Sequence, residues 1–545
     1  MGDFMTKNID GVCFKNMVDY AVRNLNKHVN VVNQLNVFPV PDGDTGTNMV
    51  TTIHKGLMAV GETIEDLPSV AQKFERSIVF EARGNSGVIV SQFLKGISEQ
   101  FSNVETADGA LFIEALEKGV RYAYMAVATP VEGTMLTLLK EATAAVKKEY
   151  DGKQGIDEIV DSLVAHAKTS LEKTPELLEV LKKSGVVDSG GAGVVYLFEG
   201  MKKYLDGETL EEMESSLQAE SVDYDNFDKN STFTYGYCTE LLLQLLNGRE
   251  EFDYRNFKEQ LLTIGDSLVV SEENDKVRVH VHTQTPEKVF ELCHRYGEFL
   301  SCKIENMSVQ HTEQSKKILC SETKDSGNFS VVAVAYDTKI QKLFLEMGAD
   351  IVICCEEGVS TKDYIEAFEM SEAKNIFVFP NSSDAILAAM QAKKNYHKAK
   401  VTVLDSRGIA ECYAALPTID YEESDIEKAA DDIAEIMNGL YVVSIAKRKK
   451  ELRYDGQNIY NDEYYSFSGK ELMVINKSLR KTAVQTIVET LEKQDRDVIT
   501  IFYKTNIHEE KIETIIESAK EMGVLAEFYT VPTENLPCEI TISFE

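Results

Sequence analysis

Between Gly11 and Asn36 the residues Met17, Val18, Ala21, Val22, Leu25, Val29 and Val32 recur at the three- and four-residue spacing of a helix with one buried face. Asp10 stands where an N-terminal cap belongs. The same period predicts helices near 48–60, 68–82, 87–100, 108–127, 134–149, 156–171, 175–184 and 191–205. In this reading Thr174-Pro175 is a cap followed by proline at the first helical position. Residues 1–205 are therefore expected to form an all-α domain.

The pattern then lapses. Residues 206–230 read as an acidic linker, with no apolar period from about Ser215 to Asn230. Strand-like runs return at 232–240, 267–271, 276–282 and 299–305, with helical spacing at 255–264 and 285–296. That βαββαβ order predicts a small ferredoxin-like α+β domain over 231–318. From 326 onward short apolar strands at 329–335, 351–355, 375–379 and 401–404 alternate with helices, and a second set follows at 441–446, 498–503, 525–530 and 539–544. This predicts an α/β region in two halves over 326–545, and a multidomain chain as a whole.

Length agrees with that division, since 545 residues are too many for one core. Charge narrows the partners: 57 Lys and Arg against 90 Asp and Glu leave a formal net charge of −33, which disfavours nucleic acid and anionic membrane surfaces. Any phosphate handled here is expected to arrive with a metal. Nine cysteines without a CxxC pair favour free thiols in a reducing, cytoplasmic setting. Met1 to Asp10 lacks a signal pattern and no apolar run approaches a membrane span, so no integral membrane segment is expected.

Candidate chemistry concentrates in Val37-Phe-Pro-Val-Pro-Asp-Gly-Asp-Thr-Gly-Thr-Asn-Met49, between two helices. Pro39 and Pro41 stiffen the approach, while Gly43 and Gly46 permit tight turns. Asp42 and Asp44 present the oxygen ligands that magnesium prefers. The alternative is a capped turn, with Asp42 and Thr45 satisfying amides of the next helix. Three more segments run into helices: Arg83-Gly-Asn-Ser-Gly87, Pro130-Val-Glu-Gly-Thr-Met135 and Val187-Asp-Ser-Gly-Gly-Ala-Gly193. Each offers unpaired amides at the positive end of a helix dipole, where phosphates bind. Four such segments argue for a nucleotide; GxxxxGK[ST] is absent, so the site is no P-loop. In the middle region Val277, Val279 and Val281 alternate with Arg278, His280 and His282, placing both histidines on one strand face. With first and third strands paired, Cys238 joins them, a zinc set of three or else a solvent-facing strand with incidental histidines.

The segments NVFPVPDGDTGTNM, ARGNSGVIVSQ, PVEGTMLT and VVDSGGAG resemble the kinase domain of the ATP-binding subunit of bacterial fatty acid kinase, within the dihydroxyacetone-kinase-like superfamily. The resemblance implies a barrel of antiparallel helices (a DhaL-like fold) holding ATP and two magnesium ions at one end. It implies Asp42 and Asp44 as magnesium ligands and catalytic residues, with Thr45, Asn48, Gly84, Asn85, Ser86 and Gly87 in the phosphate-binding set. Thr134 and Met135 would lie near the nucleotide, and Asp188 through Gly190 and Gly191 would close its pocket. One departure stands beside the motif: where the glycerone-kinase branch has a third aspartate, the nearest polar residue is Asn36, a candidate third magnesium ligand.

TYGYCTE, GDSL, VRVHVHT and KIENMSVQH are similar to the middle domain of the same kinase, which implies zinc on Cys238, His280 and His282. The C-terminal region resembles the two-lobed DegV fold. It departs from that pattern at Cys354–Thr361, at Asn381-Ser-Ser-Asp384 and at Pro532–Pro537, which favours docking or dimerisation over ligand binding by the family's own residues. Lys447-Arg-Lys-Lys450 reads as a solvated face. The implied function is ATP-dependent phosphorylation of a fatty acid carboxylate presented by a separate DegV-type fatty-acid-binding carrier, giving an acyl phosphate, by a homodimer. The rivals are a kinase for a small hydroxyketone such as dihydroxyacetone, and a nucleotide- and zinc-binding regulatory protein without catalysis.

Overall fold

The computed structural model describes residues 8–36, 43–61, 66–127, 129–209, 237–246, 251–273, 275–306, 317–321, 328–355, 358–448, 452–454 and 456–545. They fall into two compact units, one of residues 1–218 with 317–545 and one of 219–316. The linker expected at 206–230 lies mostly outside the described residues.

Ten helices are described in the N-terminal part: α1 Gly11–Lys27, α2 Val29–Leu35, α3 Thr45–Met58, α4 Leu67–Phe80, α5 Gly84–Phe101, α6 Gly109–Met125, α7 Met135–Glu149, α8 Ile156–Leu177, α9 Glu179–Ser184 and α10 Ser189–Leu205. Asp10 caps α1, accepting from the Cys13 amide at 2.8 Å. Apolar faces converge on one core that includes Phe14, Leu25, Phe74, Phe101, Leu138 and Phe198. Helices α5 and α6 approach closely because glycine meets glycine: a Cβ on Gly96 would stand 2.6 Å from the Gly119 Cα.

Two expectations fail. The stretch 11–36 is not one helix; it breaks at His28, whose ring takes up the Asn24 carbonyl at 2.8 Å and stacks on Tyr196 at 4.1 Å. Nor does Pro175 begin a helix: it sits in the last turn of α8. Proline has no N–H for the Leu171 carbonyl four residues back, and the Thr174 hydroxyl donates to that carbonyl instead, at 2.7 Å. Periodicity cannot reveal such a substitution.

In the same unit the C-terminal part holds β5 Lys317–Cys320, β6 Ser330–Ala335, α13 Thr338–Glu346, β7 Ile351–Cys354, α14 Thr361–Met370, β8 Asn375–Phe379, α15 Ala385–Asn395, β9 Lys400–Val403, α16 Ile409–Ala415 and α17 Ile426–Gly439. Here β5, β7, β6, β8 and β9 are neighbours in that order, parallel except for β5. Buried on both faces, β6 and β7 read as continuous apolar runs. The second lobe is a six-stranded sheet, β14-β13-β10-β17-β15-β16, of β10 Tyr441–Lys447, β13 Tyr464–Ser468, β14 Glu471–Asn476, β15 Val498–Lys504, β16 Glu527–Thr533 and β17 Ile540–Phe544. It carries α18 Leu479–Lys493 and α19 Glu509–Glu521. A separate hairpin joins β11 Leu452–Tyr454 to β12 Gln457–Ile459. Strands β11 to β13 escape a reading by pattern because they are three to five residues long and mix tyrosine with arginine, serine and asparagine, whereas β14, Glu471-Leu-Met-Val-Ile-Asn476, carries an apolar run that the sequence did offer.

The helical part and the first lobe share a seam. Ala82 and Val88 belong to the same apolar cluster as Val332, Val378 and Ala389. The Thr361 amide donates to the Ala82 carbonyl at 3.1 Å, Arg83 forms an isolated antiparallel bridge with Ser360, and Lys362 pairs with Glu81 at 3.7 Å.

The other unit contains β1 Tyr237–Leu245, α11 Tyr254–Leu262, β2 Asp266–Glu273, β3 Lys276–Thr283, α12 Pro286–His294 and β4 Gly297–Asn306. Its sheet runs β2-β3-β1-β4 with every neighbouring pair antiparallel. Leu241, Leu243, Val277, Val279 and Val281 cluster with Phe257, Leu261, Val289 and Leu292 of the two helices. Among the described residues no helix is long and apolar enough to cross a membrane.

Candidate functional site

The four glycine-bearing segments come together through their helix starts. Most of their glycines lie inside the first helical turn rather than before it, where backbone N–H groups have no intrahelical partner. Asp42 lies outside the described residues. Asp44 is at the cap position of α3 but makes no side-chain cap bond. Asn33 of α2 does that work, its Oδ1 accepting from the Gly46 amide at 2.7 Å and the Thr47 amide at 3.3 Å. The capped-turn alternative thus fails for Thr45, whose hydroxyl and carbonyl accept from Ser189 at 3.3 Å and Ser86 at 3.2 Å. Asn36 follows α2, its amide donating to the Asn33 carbonyl at 3.2 Å.

Asp44 Oδ2 accepts from Asn48 Nδ2 at 2.9 Å, while its buried Oδ1 has no hydrogen-bond partner among the described residues. Gly84 opens α5 with φ of +58°, and a Cβ there would strike Asn48 Nδ2 at 2.4 Å; the position demands glycine twice over. At Gly87 a Cβ would meet the Thr52 hydroxyl at 2.5 Å, so α3 and α5 interlock over their first turns.

Across the site, Thr134 caps α7, accepting from the Leu136 amide at 3.4 Å and donating to the Val131 carbonyl at 2.7 Å. Met135 packs on the start of α10, its sulfur 2.9 Å from where a Cβ on Gly190 would stand. Asp188 caps α10 through the Gly191 amide at 2.7 Å. Burial pushes the Asp188 carboxyl up to about 6, against the pull of the Gly191 and Met135 amides. The Ser189–Thr45 contact ties this wall to α3.

One residue of the site was not a candidate from the sequence. Asp384, just past β8, accepts from Asn85 Nδ2 at 2.9 Å. Burial raises the Asp44 carboxyl, while Asn48 and the nearby Asp384 carboxyl draw it back. Tyr336, just past the end of β6, is raised well above an ordinary phenol by burial, against a hydrogen bond from Ser382, and the Asp384 and Asp44 charges add to the rise. The available signal was positional: Asp384 follows the carboxyl end of a parallel strand, where α/β sheets place functional loops.

A hard divalent cation fits what is described. Asp44 Oδ1 and Asn85 Oδ1 are buried oxygens without a hydrogen-bond partner among the described residues, and hard cations take oxygen donors. In the middle sheet the register sets Cys238 opposite His282 and Glu240 opposite His280. The side chains of Cys238, His280 and His282 lie outside the described part, and no group of three His, Cys, Asp or Glu able to hold a metal occurs among the described residues.

Residues 39–203 match the DAK2 domain, 234–314 the FakA-like middle domain of fatty acid kinase, and 330–542 the FakA-like C-terminal domain. An uncharacterized protein of Staphylococcus saprophyticus is 33% identical over 512 residues, covering 91% of this chain and 92% of the relative. An uncharacterized protein of Staphylococcus aureus is 30% identical over 529 residues, covering 95% and 96%. Among solved structures, the fatty acid kinase (Fak) B3 protein of Streptococcus pneumoniae loaded with linoleic acid aligns at 17% identity over 40% of this chain and 99% of its own, with a TM-score of 0.30.

Proposed function

We propose a function from the premise that this chain belongs to the fatty acid kinase family that joins a DAK2 domain to FakA-like middle and C-terminal domains: it transfers the γ-phosphoryl of ATP to the carboxylate of a fatty acid presented by a separate fatty-acid-binding carrier. The observation that carries this reading is the meeting of the α3, α5 and α10 starts at Thr45, beside Asp44, with Met135 of α7 packed on the α10 start, within the DAK2 match.

In this mechanism the unpaired amides of α5 around Gly84 to Gly87 and those of α10 bind phosphate oxygens. Asp44, with Asp42 beside it in sequence, would hold magnesium, and the buried Asn85 Oδ1 would offer a neutral oxygen ligand. Magnesium supplies neutralisation of the phosphate charge. The Asn33 cap keeps Asp44 available by satisfying α3 itself. Thr134 and Met135 form the opposite wall, with Asp188 fixing the entry of α10. A fatty acid carboxylate is already ionised at neutral pH, so the acceptor needs no general base. Zinc on Cys238, His280 and His282 belongs to the same proposal, supported by the register that faces Cys238 with His282.

The test mixes purified protein, Mg-ATP, a fatty acid and a candidate carrier, and follows carrier-dependent acyl phosphate. Nucleotide binding without transfer to any carrier-bound acid would overturn the acceptor assignment, and faster transfer to dihydroxyacetone would replace it. Zinc content of the wild-type chain against Cys238→Ala decides the metal of the middle unit; equal content in both removes that assignment.

A further inference from the structure

Asp384 belongs to the C-terminal lobe, yet the Asn85 amide from which it accepts belongs to the helical part, 299 positions away in the chain. We propose that Asp384 is a positioning residue of the kinase site: it fixes the orientation of the Asn85 amide, and so ties nucleotide binding to the seating of the C-terminal lobe. The inference rests on the nucleotide-site reading of Asp44 and the α5 start.

Its place in the sheet is the first support. From β6 the chain passes to β7 on one side and then to β8 on the other, so the carboxyl ends of β6 and β8 flank a topological switch point. Open α/β sheets hold ligands in that crevice. Here the loop leaving β8 meets the first turn of α5 instead, through Asp384 and Asn85.

The second support is what Asp384 does not do. It stands at the cap position of α15 without a cap bond to that helix, as Asp44 does at α3. Each carboxylate accepts from the Nδ2 of an asparagine at the site, Asn48 for Asp44 and Asn85 for Asp384, both at 2.9 Å. An aspartate in a cap position ordinarily satisfies its own helix.

The third is the orientation that results. With its NH2 held by Asp384, the Asn85 amide turns its carbonyl oxygen away, and that oxygen is buried without a partner among the described residues. A carbonyl oxygen suits a cation or a hydroxyl, whereas the NH2 would suit a phosphate oxygen. Asp384 therefore decides which chemistry Asn85 offers. The seam beside it, from the Thr361 amide to the Ala82 carbonyl and from Arg83 to Ser360, holds the two parts in register one residue before Gly84.

Three variants of the full chain separate positioning from mere stability. Asp384→Ala removes the acceptor; Asp384→Asn keeps an oxygen that accepts from Asn85. Thr361→Pro deletes the seam N–H at the first position of α14, where proline is tolerated. Magnesium-dependent binding of a fluorescent ATP analogue and hydrogen exchange over 82–90 and 380–388 are measured for each. Asp384→Ala is expected to weaken binding about tenfold or more and to speed exchange over 82–90, and Asp384→Asn to recover binding to within about threefold of wild type. Thr361→Pro is expected to speed exchange on both sides of the seam and weaken binding less than Asp384→Ala. Unchanged binding in Asp384→Ala, or equal damage in Asp384→Asn, overturns the proposal. If the wild-type chain binds no Mg-nucleotide, the kinase reading falls, and exchange alone decides whether Asp384 positions the α5 start.

Discussion

The starts of α3 and α10 carry similar sequence, an aspartate followed by glycines, and they use the aspartate in opposite ways. Asp188 spends its carboxylate on its own helix, accepting from the Gly191 amide. Asp44 leaves its helix to Asn33, accepts from Asn48, and keeps one oxygen buried and unsatisfied among the described residues. The difference lies in the neighbour, since α2 brings Asn33 to the α3 amides. A carboxylate becomes available for chemistry when something else caps its helix.

Asp44→Ala breaks the contrast hardest. Phosphoryl transfer is expected to fall by about 100- to 1000-fold or more, while stability falls by no more than the about 1 to 3 kcal/mol that a buried Asn48 amide left without Asp44 costs, since no cap is lost. Steady-state rates beside denaturant titration check this; lost stability with transfer preserved would leave Asp44 only a structural partner of Asn48.

Asp188→Asn sharpens it through pH. The raised carboxyl means that the folded chain holds a proton the unfolded chain has released, so stability falls as pH rises from about 4 to about 6. Asparagine caps about as well without that charge. The variant should match wild type near pH 4 and exceed it at pH 7 by up to about 3 kcal/mol, measured by urea denaturation at the two pH values.

Asn33→Ala tests the neighbour. It should cost about 1 kcal/mol of stability and also slow transfer, because the freed α3 amides would draw Asp44 back into the cap. Lost stability at full activity would show that Asn33 is only a cap. The smallest effect belongs to Lys362→Ala, whose exposed ammonium pairs at 3.7 Å with the half-buried Glu81 on the seam; a change within about 1 kcal/mol is expected in denaturant titration.

Much of this architecture was open to a reader of the chain. Helical period located the faces that form the helical core, and apolar runs located β6, β7 and β8, because buried surface requires those patterns wherever the chain goes. It failed where one residue substitutes for another's missing bond, as Thr174 does for Pro175, and in β11 to β13, whose polar content hides their alternation. The segments around Asp44, Gly84, Thr134 and Asp188 were visible as candidates, since glycines clustered where helical period begins mark helix starts with unpaired amides.

What the sequence alone determined is therefore the set of glycine-bearing helix starts and the kinds of side chain they offer. Only the tertiary structure decided which carboxylates cap helices and which face the site, because that depends on Asn33 and Asn85 arriving from other elements. It also brought Asp384 to Asn85. Hydrogen bonds between elements so far apart in the chain leave no period in the sequence; they exist only once the two parts have packed.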